Sequence, residues 1–354
     1  MKKINGKLSL AMLLVLVMVA SVFVGCASKD VATKTTGTDA PASSEEAKEV
    51  SGTVMIYTSI YPDIIEMMKP EIEKALPDIT VEWFQGGTES VVTKITGEME
   101  AKKVQADLLM VADPSYYLTL QKAGVLEKYE SPERANVSVK DEEGYWTGVR
   151  ISNMIIAYNT DRVSEADAPK SFEDLLDPKW KNKIAMPSPL LSGSAFVAAG
   201  AMSNKLGWEY FEKLKQNGLV VESGNTAVQT KVLTGEYDVV IILEENMLKI
   251  AKAGEPVKVV YPKDGVIMIP SPIAMFNSSK NSAASKKVLD WFLSTKGQEI
   301  IVKGWMHSVR QDVASPIGAD PLKSFIDNTM KTDWEQFSTE SAKIKETFRS
   351  KVID

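Results

Sequence analysis

The sequence predicts an α/β protein of two lobes, each a mixed sheet flanked by helices, joined by a two-stranded hinge. Three observations carry this expectation. Short apolar runs alternate with longer amphipathic ones through most of the 354 residues, which is how strands followed by helices read. Two long extended stretches, Trp146 to Tyr158 and Val266 to Phe276, break that alternation. The composition, 25% charged and 44% apolar, is that of a soluble globular chain with material for two domains.

In chain order, Thr53 to Tyr57 reads as a buried strand. Pro62 to Leu76 places Ile64, Ile65, Met68, Ile72 and Leu76 on one helical face, with proline near the start, where its missing N–H costs nothing. Ile79 to Phe84 is a second strand, and Thr88 to Lys102 a helix with Val91, Ile95 and Met99 in register. Leu108 to Val111 is a third strand, followed by a helix from Pro114 to Ala123 that Gly124 stops. Strands separated by helices imply parallel neighbours with right-handed crossovers.

After the first extended stretch a second series follows. Helices are expected at Gly193 to Asn204, Trp208 to Gln216, Thr226 to Thr234 and Glu245 to Ala253. Strands are expected at Leu219 to Val221, Asp238 to Leu243 and Val257 to Tyr261. The second extended stretch carries Pro270 and Pro272, and helices follow at Ser285 to Ser294 and Lys296 to Lys303. Two crossings make the first lobe discontinuous. Residues 53–148 with 267–318 form lobe one, and residues 149–266 with 319–354 form lobe two, the segment from Leu322 onward packing across the second.

The amino end has its own logic. Met1-Lys2-Lys3, an apolar run from Leu8 to Val24 and Gly25-Cys26 have the layout of a secretory signal over residues 1–25. Cys26 is the only cysteine, so it forms no internal disulfide. The stretch Val22-Phe23-Val24-Gly25-Cys26 resembles a bacterial lipobox, whose cysteine receives a diacylglyceryl group, although Phe23 stands where leucine is preferred. An uncleaved membrane anchor is the alternative for an apolar run of this length. Both place the body outside the cytoplasm. Residues 26–52 are rich in Lys, Thr, Ser, Asp and Glu with few large apolar side chains, and read as a disordered tether.

The residues also exclude function classes. A net charge of -6 with no basic tract argues against a nucleic-acid partner. The single histidine, His307, would have to serve any serine or cysteine nucleophile, and beside Trp305-Met306 it reads as structural. No phosphate-loop motif and no clustered metal ligands appear, so no catalysis, cofactor or metal is expected.

Four stretches resemble one family: Tyr57-Thr58-Ser59; Leu120 to Leu126; Ser171-Phe172-Glu173-Asp174-Leu175-Leu176-Asp177-Pro178-Lys179-Trp180 continuing to Ala185; and Val288 to Ser294 with Gly297-Gln298. The chain is similar through them to the type-two periplasmic-binding-protein fold of bacterial ABC importers, in its ferric-ion and phosphorylated-solute branch. The resemblance implies a monomeric extracytoplasmic receptor, held to the membrane by its N-terminal lipid, that delivers a small solute to the transmembrane subunits of an ABC permease. A ligand-sensing accessory receptor is a second use of the same fold.

In open α/β sheets ligands bind beyond the carboxyl ends of the strands, where loops feed helix N-termini that favour anions. Four such loops are rich in glycine and hydroxyls. They hold Thr58 and Ser59; Gly87 and Thr88; Ser192, Gly193 and Ser194; and Asn225 and Thr226. Each is equally an ordinary helix cap. Arg150, in the first crossing, is a fixed cation for an anion or one half of a salt bridge. Glu244 and Glu245 are acceptors for sugar hydroxyls, partners for an ammonium, or simply an acidic first helical turn. In ferric-binding relatives an adjacent tyrosine pair follows this strand, and here Glu245 and Asn246 hold those positions. The expected ligand is therefore a small anionic organic solute, phosphorylated or a phosphonate, with ferric ion as the alternative.

Overall fold

Fourteen consecutive buried residues, Trp146–Asn159, form the strand on which both halves of the molecule are built. The structure is a computed structural model that describes residues 50–354; the signal segment, Cys26 and most of the tether lie outside the described residues. The first half opens with β1 (Gly52–Thr58), α1 (Pro62–Ala75), β2 (Ile79–Gln85) and α2 (Thr88–Glu100). It continues through β3 (Leu108–Met110), α3 (Pro114–Lys122) and β4 (Leu126–Glu127). β1 lies parallel to both β2 and β3, as helical crossovers require.

The long strand, β5 (Trp146–Asn159), leads to the second series. This comprises β6 (Ile184–Pro187), α4 (Gly193–Leu206), α5 (Trp208–Gln216), β7 (Val220–Glu222), α6 (Asn225–Leu233), β8 (Val239–Leu243), α7 (Glu244–Lys252) and β9 (Val257–Val260). β10 (Ile267–Phe276) returns the chain, followed by α8 (Ser282–Leu293), α9 (Thr295–Lys303) and α10 (Trp334–Phe348). The expected strands and helices are present within a few residues of their expected ends. β4 and β6 are too short to stand out by periodicity, and α10 was expected only as a packed segment.

The half-sheets join. β10 and β5 pair antiparallel along their length, so the strands run in the order β2-β1-β3-β10-β5-β8-β6-β7, with β4 on β10 and β9 on β5. Apolar packing nevertheless changes partners along this pair. Val149 and Ile151 of β5 and Ile273 and Met275 of β10 pack with α1, α8 and α9. Met154, Ile156 and Tyr158, with Ile267 and Ile269, pack instead with α4, α5 and α10. The exchange of apolar partners therefore falls between Ile151 and Met154 on one strand and between Ile269 and Ile273 on the other. The register of the pair shifts between Ser271 and Pro272, opposite Arg150 and Gly148. Such a bulge bends a strand and re-aims its side chains.

α10 seals the second half with Phe337, Ile344 and Phe348. It reaches α4 closely because Gly200 leaves room: a Cβ there would lie 2.6 Å from the Phe337 ring. Its polar side meets the first half through Thr119 with Ser338 at 2.9 Å, Lys345 with Glu89 at 2.6 Å, and Lys122 with Glu335.

Asp113 caps α3, its Oδ1 accepting from the Ser115 N–H at 3.0 Å and the Ser115 hydroxyl at 2.7 Å. Burial pushes this carboxyl up to about 6, the Ser115 bonds opposing the rise and Glu89 adding to it. An aspartate in the unfolded chain titrates near about 3.9. Between those values the folded protein holds the proton more tightly, so Asp113 lowers stability as pH rises through that window. Asp113→Asn retains a capping oxygen and removes the charge. Its unfolding free energy, measured by urea denaturation, is expected to gain on the parent protein by roughly 1–3 kcal/mol between pH 4 and pH 7.

Candidate functional site

The two series point the carboxyl ends of their parallel strands at one another across the β5–β10 pair. Between them lies a cavity of about 340 Å³. Five helices begin on its wall. Tyr61 and Pro62 open α1, Gly87 and Thr88 open α2, Ser192 and Ser194 open α4, Asn225 and Thr226 open α6, and Leu243 and Glu245 open α7. Helix N-termini carry partial positive charge and unpaired N–H groups. Only α4 among these five has a side-chain cap, Ser192 Oγ accepting from the Ala195 N–H at 3.4 Å. α2 and α6 have glycine N-caps, Gly87 and Gly224, and no side-chain cap hydrogen bond. Asn225 ties the second-half loops together, donating to Ser194 Oγ at 3.1 Å and accepting from the Leu243 N–H at 3.2 Å.

Arg150 and Ser152 enter the cavity from β5. They stand two residues apart and so share a face of the strand. Arg150 is 4% exposed. Its Nη2 donates to Ser59 Oγ at 3.3 Å and its Nη1 meets Met306 Sδ at 2.9 Å, while Nε has no protein partner. No carboxylate forms a salt bridge with it among the described residues. Burial draws its pKa below the usual arginine value, nearby Glu245 acting the other way.

Glu245, at the start of α7, is buried in the same lining, its Oε1 accepting from Ser152 Oγ at 2.8 Å. Burial raises its pKa, and Arg150 opposes that rise. The Tyr61 hydroxyl donates to Asn246 Oδ1 at 3.2 Å across the cleft. Burial first, and Glu245 second, push that phenol up to about 12, so it stays neutral.

Of the expected site residues, Ser59, Gly87, Thr88, Arg150, Ser192, Ser194, Asn225, Thr226 and Glu245 line this one cavity. Three do not. Thr58 is consumed by its own turn, its Oγ1 donating to the Met110 carbonyl at 2.9 Å and accepting from the Ile60 N–H at 3.0 Å. Glu244 points elsewhere because successive helical residues are turned about 100° apart. Its carboxylate accepts from Asn153 Nδ2 at 2.6 Å and from the Tyr261 hydroxyl, and meets His307 Nε2 at 2.9 Å, all in the interior. Gly193 lies where the cleft rims touch. A Cβ there would sit 2.6 Å from Thr88 Cγ2, and one on Gly87 would sit 3.3 Å from the Leu191 carbonyl. The lining residues Tyr61, Gln85 and Ser152 were not anticipated. For Ser152 the signal was available in its i, i+2 relation to Arg150.

With this geometry in hand, comparison places the chain. A model of the bacterial extracellular solute-binding protein family matches residues 104–328, more than half of the chain. The chain belongs to that family. Its members are binding proteins that serve ABC importers outside the cytoplasm, and this is the role of the chain. An Fe(3+)-binding periplasmic protein of Serratia marcescens is 24% identical over 262 residues, 70% of this chain and 75% of that one. A Salmonella typhimurium protein named for 2-aminoethylphosphonate binding is 26% identical over 247 residues, 66% of this chain and 71% of its own.

Two solved structures carry the same type-two periplasmic-binding fold. AfuA from Actinobacillus pleuropneumoniae, with fructose-6-phosphate bound, superposes with a TM-score of 0.77 at 22% identity, over 85% of this chain and 99% of that one. Iron-bound HitA from Pseudomonas aeruginosa superposes with a TM-score of 0.74 at 23% identity, over 83% and 98%. No helix among the described residues is long and apolar enough to cross a membrane.

Gly193 supplies a test of the rim contact. Gly193→Val adds carbon where Thr88 already lies and is expected to hold the rims apart. Small-angle scattering should show a larger radius of gyration than the parent, with an unchanged circular dichroism spectrum. An unchanged radius would mean that the rims do not meet in solution.

Proposed function

We propose that the protein captures a small phosphorylated or phosphonate organic anion in this cleft, and that capture draws the two lobes together for recognition by an ABC permease. The observation that carries the proposal is Arg150, a buried cation with no carboxylate partner among the described residues and an unpartnered Nε, set among uncapped helix N-termini. Burying an unpaired charge costs several kcal/mol, and an anion that accepts from the guanidinium and the first-turn N–H groups offsets that cost. The residues moving as bodies are 53–148 with 267–318 and 149–266 with 319–354, exchanging near the β5–β10 bulge. Cys26, lipidated, tethers the body to the membrane.

The ferric alternative has a specific observation against it. The position of the tyrosine pair is taken by Glu245 and Asn246, and Tyr61, the phenol in the cavity, is held protonated by burial. Ferric ion favours hard anionic oxygens, of which phenolates are the strongest here.

Thermal shift and calorimetry with fructose 6-phosphate, 2-aminoethylphosphonate and related compounds test the proposal. At least one is expected to raise the melting temperature, because a ligand that binds only the folded state stabilises it. Arg150→Ala is expected to weaken that ligand by on the order of 100-fold, the loss of one or two charge-assisted hydrogen bonds. Ferric salt is expected to give no visible phenolate-to-metal band. A coloured, stabilised ferric complex with no response to any phosphorylated compound would overturn the proposal.

A further inference from the structure

We infer that the cleft is built for a dipolar ligand, a phosphoryl-type anion at the Arg150 end joined to an ammonium at the Glu245 end, and that Glu245 is the residue that selects it. This rests on the reading of the cleft as an anion site and narrows it. Arg150 and Glu245 are each 4% exposed and line one cavity. Opposite charges so placed would ordinarily collapse into an ion pair, yet among the described residues they form none. Ser152 explains the separation. It stands two residues along β5 from Arg150 and holds Glu245 Oε1 at 2.8 Å, engaging the carboxylate that Arg150 would otherwise pair with. Glu245 therefore presents a buried negative charge to whatever the guanidinium binds.

That arrangement discriminates. A bare dianion such as inorganic phosphate gains Arg150 but suffers like-charge repulsion from Glu245, which burial of that side chain strengthens. A hydroxyl at the far end of the ligand would donate to Glu245 and leave its charge intact. An ammonium neutralises it and supplies donors together. Apart from Arg150, which the phosphoryl group would engage, no neighbouring cation does this already. The groups facing Glu245 are Arg150 on β5, Tyr61 before α1 and Glu244 on its own helix. Lys249, the nearby cation in the smaller cavity behind Tyr61 and Glu245, is paired with Asp63. Burial raises the Glu245 pKa, which is the cost a cationic ligand group relieves.

Isothermal titration of the full chain and of Glu245→Gln with 2-aminoethyl phosphate, ethyl phosphate and inorganic phosphate tests the inference. Glutamine keeps an oxygen for Ser152 and removes only the charge. The parent protein is expected to prefer 2-aminoethyl phosphate to ethyl phosphate by about tenfold or more, the worth of a charged hydrogen bond. Glu245→Gln is expected to erase that preference and to bind ethyl phosphate and inorganic phosphate more tightly. Equal affinities in the parent protein, or a preference that survives Glu245→Gln, would overturn the inference, and the parent comparison stands even if the variant fails to fold. Binding of fructose 6-phosphate without binding of 2-aminoethyl phosphate would sink the dipolar inference and leave the anion site standing. Failure of all four compounds would sink both.

Discussion

A buried guanidinium with no salt bridge to a carboxylate among the described residues is the constraint around which this structure is arranged. Arginine usually escapes such a position by extending its head to water. Arg150 belongs to a strand whose fourteen residues are all buried, and its head reaches only into the cleft. The strand is locked by antiparallel pairing with β10, and the register shift at Ser271 and Pro272 falls opposite it. Tyr117, packed beneath, donates to the Pro272 carbonyl at 2.8 Å and holds that bend in place. The cation is thus positioned by the backbone that joins the two halves, and a ligand bound to it touches the hinge itself.

The remaining architecture follows from giving that cation a useful surrounding. Parallel strands deliver helix N-termini to a common edge, and five of them converge on one cavity. Acidic groups near it are managed by pairing. Glu244 is taken into the interior by Asn153, Tyr261 and His307, leaving Glu245 as the carboxylate that faces the cleft with Arg150. The contacts between halves are unequal in kind. α10 buries aromatic side chains in the second half but meets the first through hydrogen bonds and ion pairs such as Lys345 with Glu89. The exposed pair Lys122 with Glu335 contributes little, so apart from the β5–β10 pairing the halves are held as units by apolar packing and to each other by polar contacts.

Much of this was legible in the sequence because it depends on period and punctuation. The 3.6-residue spacing of Ile64, Met68 and Ile72, and the uninterrupted apolar run from Val239 to Leu243, admit few alternatives. The loops lining the cleft were legible by their glycines and hydroxyls, since close approach of backbone demands small residues. What escaped depends on direction rather than composition. Glu244 and Glu245 are chemically identical neighbours, and only the phase of α7 sends one inward and the other to the cleft. Thr58 was lost to a local bond that a hydroxyl makes as readily with its own turn as with a ligand. Gly193 matters for what it leaves room for, the Thr88 side chain from the other rim, and no pattern within one segment reveals a contact 105 residues away.

The most direct measurement is the nuclear magnetic resonance signal of the Arg150 Nε–H group, assigned by its disappearance in Arg150→Lys. Titration with whichever phosphorylated compound stabilises the protein is predicted to move that signal downfield and slow its exchange with water, as the orphaned donor acquires an anionic acceptor. A compound that saturates the protein while the Arg150 signal stays where it was would contradict the account.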